Sequence, residues 1–205
     1  MQSHLFFKPF IGQDYSDGGI FKKRILIVGE SHYCEDACED CGKDKTSKCT
    51  RFTIDTVNNY LQFGDTDGWR NTFLKFERSL VGHTTTPEES RRIWQSVAFY
   101  NYVQRAMNAA RQSPDDMDFK SSAPAFFEVL DALQPDLAIV WGRRLWERMS
   151  DRQWEPLPDK DIEGYTVESG NYVLDSGKRV LAMYVYHPST GYDWSFWYKI
   201  IRLFM

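Results

Sequence analysis

ILIVGESHY, residues 25–33, decides how the rest of the chain is read. Four apolar residues, Ile25-Leu26-Ile27-Val28, run unbroken into Gly29, and Glu30, Ser31, His32 and Tyr33 follow. A short continuous run rich in β-branched residues suits a strand covered on both faces, as in a parallel sheet. The residues after it are a glycine, a carboxylate, a hydroxyl, an imidazole and a phenol. The stretch therefore reads as a central strand that delivers a chemical site at its end.

Three further runs have the same character: Val97-Ala98-Phe99-Tyr100, Leu137-Ala138-Ile139-Val140-Trp141, and Val180 to Tyr186. Helical patterns lie between them. Trp69, Phe73, Phe76 and Leu80 fall on one face of a helix. Thr86-Pro87-Glu88-Glu89 is a capping box with proline at the first helical position, and its helix should run to about Ser96. Residues 102–111, 124–133, 143–149 and 193–204 are also expected to be helical, and Asp175-Ser176-Gly177 is expected to turn a hairpin that feeds the fourth strand. Alternating strands and helices predict an α/β fold. The expected form is a single domain over residues 1–205, three-layer α/β/α, with a central, mostly parallel, four-stranded sheet.

In open α/β sheets, ligands bind outside the carboxyl ends of the strands. Glu30 follows the first strand, Asn101 the second, Gly142 the third and His187 the fourth. A carboxylate, an amide, a close-approach glycine and an imidazole would thus meet along one rim.

Three stretches carry a resemblance. Gly29-Glu30-Ser31-His32-Tyr33 resembles the first motif of the uracil-DNA glycosylase superfamily, written GQDPY in one branch and GEAPG in another. Phe99-Tyr100-Asn101-Tyr102 is similar to the strand whose Asn reads the base, and His187-Pro188-Ser189-Thr190 is similar to the second motif, HPSP. The resemblance implies a uracil-DNA glycosylase-like fold and a base flipped into a pocket. It implies that Asn101 pairs with the edge of the base, and that Gly29, Ser31, Tyr33 and Ser189 line the base site. It implies that His187 donates to a carbonyl oxygen that gains charge as the glycosidic bond breaks, while Glu30 stabilises the sugar cation. DNA or another nucleobase-bearing ligand would be the partner. The chain departs from GQDPY where Ser31 replaces the water-activating Asp and His32 replaces the Pro.

That departure keeps two functions open: a DNA glycosylase, or a base-binding or protein-binding module that keeps the fold without the catalytic carboxylate. A hydrolase with Ser31 as nucleophile and His32 or His187 as base is a third, although Ser31 lacks a complete nucleophile-elbow motif. The Gly191–Trp194 stretch reads either as an aromatic wedge or as the start of the last helix.

All four cysteines, Cys34, Cys38, Cys41 and Cys49, lie within 16 residues. In a cytoplasmic chain such clustering reads as a metal site. Four thiolates suit structural zinc, with an iron–sulfur cluster or four free thiols as alternatives and His32 as a substitute ligand.

The bulk properties bound the rest. Net charge is −4, which argues against tight non-specific DNA binding. Each of the clusters Lys22-Lys23-Arg24, Arg91-Arg92 and Arg143-Arg144 reads as solvated surface charge. No apolar run approaches a membrane span, and the first residues lack a basic, then apolar, leader, so a cytoplasmic location is expected.

Overall fold

Residue 25 begins the strand on which everything else is stacked. The computed structural model describes residues 3–34, 47–63, 68–109 and 112–205. In chain order the strands are β1 (Phe10–Ile11), β2 (Ile25–Gly29), β3 (Val97–Asn101), β4 (Leu137–Trp141), β5 (Trp154–Pro156), β6 (Lys160–Ile162), β7 (Tyr165–Val167), β8 (Ser169–Val173) and β9 (Arg179–Val185). The helices are α1 (Ser47–Thr50), α2 (Phe52–Phe63), α3 (Arg70–Val81), α4 (Pro87–Gln95), α5 (Asp116–Leu133), α6 (Arg143–Trp146) and α7 (Trp194–Ile201).

The main sheet runs β1-β3-β2-β4-β9-β8-β5. Its middle four strands, β3, β2, β4 and β9, are mutually parallel and are the four apolar runs of the sequence. The sheet has seven strands rather than the expected four. β1 adds antiparallel to β3; on the other side β8 adds antiparallel to β9, and β5 adds antiparallel to β8. These additions are short or carry polar residues, so no continuous apolar run marks them. The Asp175–Gly177 turn does join β8 to β9, with Gly177 at φ 82°.

The strand period of two sorts side chains onto two cores. Ile25, Ile27, Phe99, Ile139 and Met183 point to the side covered by α2, α3, α4 and α7. Leu26, Val28, Tyr100, Val140 and Ala182 point to the side covered by α5 and α6. Helices on both faces explain why β2, β3 and β4 are buried at every position. Each large side chain hidden this way contributes about 1.5–3 kcal/mol.

Inside the first core lies one carboxylate. Glu77 is fully buried and accepts from Tyr60, Ser90 and Trp94 at 2.8, 2.5 and 2.9 Å, and from the Thr85 hydroxyl. Four donors replace the water it lost, which is the condition for hiding a charge. The Thr86 capping box forms as expected, with Pro87 at the first position of α4.

Residues 102–109 are not helical, contrary to the sequence pattern. Their backbone pairs with the segment leaving β2 instead: Tyr102 and Val103 donate to Gly29 and Glu30, and Met107 donates to His32, at 2.7–2.9 Å. A helix would have satisfied those groups internally, and the rim segment would then have lost its partner. α5 begins earlier than expected, at a capping box on Asp115, and carries Pro124 within it.

Candidate functional site at the strand rim

The parallel register levels the four carboxyl ends. Gly29 stands opposite Asn101, Val28 opposite Val140, and Trp141 opposite Val185. Asn101, Gly29, Gly142 and His187 therefore follow one another along a single rim. Three strand spacings separate the amide from the imidazole, roughly 14 Å.

Gly29 makes room for the amide. A Cβ there would lie 2.2 Å from Asn101 Oδ1, so no other residue fits without moving Asn101. The amide nitrogen donates to His32 Nδ1 at 3.1 Å, and His32 Nε2 stands 2.8 Å from Thr53 Oγ1. Asn101 Nδ2 also lies 3.2 Å from His32 Nε2, so the imidazole is bonded by both the amide and the threonine. His32 stacks on Phe52 at 4.4 Å and meets the edge of Phe7 at 4.9 Å. Burial pushes its imidazole down to about 3, so it is neutral.

Glu30 is held by a fork. Arg144 Nε donates to Oε2 at 2.8 Å and Nη2 donates to Oε1, while Nη1 donates to Ser113 Oγ at 2.6 Å. Such bidentate pairs are both strong and directional. The hydrogen bonds Arg144 donates to Glu30 hold the guanidinium pKa above its ordinary value. Arg144 reaches the rim because Gly142, at φ 97° and ψ 139°, turns the chain sharply from β4 into α6. That conformation is open to glycine and strained for other residues.

His187 is set up as a donor. Its Nδ1 accepts the Ser189 backbone N–H at 3.2 Å and lies 2.7 Å from Ser189 Oγ, which leaves the proton on Nε2. Burial lowers its pKa, with Glu30 raising it and Arg144 lowering it. The carboxylate, the guanidinium and the imidazole thus share one electrostatic neighbourhood. Tyr33 is 40% exposed, bridges to Met107, and stands in the field of Arg144. The Ser31 hydroxyl is buried with no partner, so neither His32 nor His187 is placed to activate it as a nucleophile.

The Gly191–Trp194 stretch begins the last helix. Tyr192 stacks on Trp197 at 5.9 Å and bonds Ser79, and Asp193 caps α7. Around the rim the arginines are matched by carboxylates: Arg143 with Glu147, Arg144 with Glu30, and Arg148 with Asp116. Cys34 follows the rim segment, and Cys34 and Cys49 are both half-buried. Cys38 and Cys41 lie outside the described residues. Among the described residues, no three His, Cys, Asp or Glu side chains are grouped to hold a metal.

The chain matches no protein-family model, and no curated protein matches it. No helix among the described residues is long and apolar enough to cross a membrane.

The reading from sequence did not include Arg144, Thr53 or the rings of Phe7 and Phe52. Arg144 carries a usable signal: it lies two residues past the glycine that ends β4, so its reach is to the rim and not to open solvent. Thr53 and Phe52 follow the Cys-rich segment, and nothing local ties them to His32.

Proposed function

We propose that the rim binds a nucleobase-bearing ligand and that the chain is a uracil-DNA glycosylase-like hydrolase of N-glycosidic bonds. The observation that carries this reading is the grouping of Glu30, Arg144 and His187 on the rim that also carries Asn101, with the His187 proton on Nε2. The base would leave with the electron pair of its bond to the sugar C1′. His187 Nε2–H would donate to the base oxygen that gains charge. Water would form the new C1′–O bond, and its proton would replace the sugar on the base. Glu30, held by the Arg144 fork, would stabilise the sugar cation rather than abstract a proton.

The same clamp favours a second reading, a base-binding module, because both oxygens of Glu30 are engaged by Arg144 and Ser31 carries no carboxylate to replace it. One assay separates the two: release of free uracil from single- and double-stranded uracil-containing oligonucleotides, paired with equilibrium binding of the same strands. Release that His187→Ala abolishes supports the enzyme. Saturable binding without release supports the module. Neither binding nor release overturns both.

We also propose that Cys34, Cys38, Cys41 and Cys49 hold a structural zinc. The support is the closeness of four thiol-bearing residues in sequence. About one zinc per chain by elemental analysis, with no iron and no visible absorbance, is the expected result. Iron with visible absorbance would assign a cluster instead.

A further inference from the structure

Away from the rim, α6 and the β5–β8 pair enclose a second cavity of about 330 Å³. That volume is within the range of small-molecule sites. Glu30, Tyr33, Asn101 and His187 do not line it.

Its walls are aromatic. Trp146 and Trp154 stand at 85° with centroids 5.2 Å apart, forming a corner, and Tyr172 closes the back at 4.9 Å from Trp154. Both tryptophans are only half-buried, so ring surface remains for a guest. Gly170 is the floor under Trp154: a Cβ there would lie 2.3 Å from the indole, so the ring rests directly on the β8 backbone.

Its field is negative. Asp151, Asp159 and Glu168 line the cavity, and no lining residue is a lysine or an arginine. Glu147 also lines it but is paired with Arg143. Trp146 Nε1 donates to Glu168 at 3.1 Å, which fixes that carboxylate at the edge of the aromatic corner. Ser169 reaches the cavity through its backbone: it pairs with Met183 of the first core, so its side chain lies on the other face of the sheet.

These features together select a ligand class. Indole faces backed by carboxylates attract a diffuse cation that can shed its water, as in aromatic cages for quaternary ammonium groups. A bare metal ion fits poorly, because the carboxylates are spread around the cavity and do not converge; no metal-holding group is found among the described residues. An anionic head group such as phosphocholine is repelled by the same carboxylates. We infer that this cavity binds a quaternary ammonium ligand of the choline type, its methyl groups in the Trp146–Trp154 corner.

The test is titration of the full chain with choline and with its neutral carbon isostere, read by calorimetry and by indole fluorescence. Choline binding at least about tenfold tighter than the isostere, and weakening with salt, is expected. Glu168→Gln, which keeps the shape and removes the charge, should weaken choline about fivefold or more with an unchanged melting temperature. Trp146→Leu should weaken it further. A trimethyllysine amide run beside choline distinguishes a methylated protein side chain from a free small molecule as the natural source of the cation. No saturable choline binding, or an isostere that binds as well as choline, overturns the inference, whatever becomes of Trp146→Leu. Because base release at the rim is a separate assay, failure here leaves the proposed function standing, and the reverse also holds.

Discussion

The rim has two halves with opposite physics. On the Asn101 side everything is sealed: the amide, His32 and Thr53 form a neutral chain between Phe7 and Phe52, and Gly29 leaves no slack. On the His187 side the groups are charged, forked and half open to solvent, with Arg144 half exposed above the buried Glu30. The first half has spent its hydrogen bonds on structure. The second ties its carboxylate into the Arg144 fork and leaves the His187 Nε2 proton for a ligand. On the proposed reading, reactivity belongs to the β4–β9 end of the rim, and recognition by Asn101 is limited to the atoms His32 leaves free.

Substitutions can break that contrast in order of size. His187→Ala should slow base release about 10²–10³-fold, as loss of one charge-stabilising donor does, while the melting temperature barely moves. If stability fell as much as rate, the open half would be structural too. Gly29→Ala should act oppositely. Its Cβ would collide with Asn101 Oδ1 and Phe99, costing about 1–3 kcal/mol, or about 2–4 °C of melting temperature per kcal/mol.

Arg144→Gln tests the charged half through pH. The folded His187 pKa is depressed below its ordinary value near 6.5, chiefly by burial, and Arg144 adds to the depression. Its neutral form thus stabilises the fold above the unfolded value, and that contribution is lost as pH falls through the folded one. Removing Arg144 should raise the folded value, moving the acid limb of the rate profile and the imidazole NMR titration toward neutral pH. No movement would mean that the two groups are not neighbours. Smallest of all, Ser189→Ala removes the Oγ contact but not the backbone donor to Nδ1, so it should change stability by less than about 1 kcal/mol and rate only a few-fold.

Much of this arrangement was legible in the sequence because two strong signals point the same way. The four doubly covered strands are continuous apolar runs, and the residue after each run is fixed at the rim once the strands are parallel. Asn101, Glu30 and His187 are placed by that rule alone. What escaped depends on contacts between distant segments. β1 is two residues long, and β5 and β8 alternate polar and apolar residues at an edge, so neither announces a strand. Residues 102–109 have a helical pattern, but the backbone leaving β2 competes for their hydrogen bonds and wins. The Glu30–Arg144 fork spans 114 residues. A charge read in isolation as solvated became the partner that fixes the role of the carboxylate.

The most direct measurement is an amide and imidazole NMR titration with uracil, and with a short uracil-containing single strand. Binding at the rim predicts saturable shifts at Gly29–Tyr33, Gly142 and His187, with His32 little changed because it is already enclosed. Shifts that are absent, or confined to the Trp146–Trp154 corner, would contradict a base-binding crevice at the ends of β2, β3, β4 and β9.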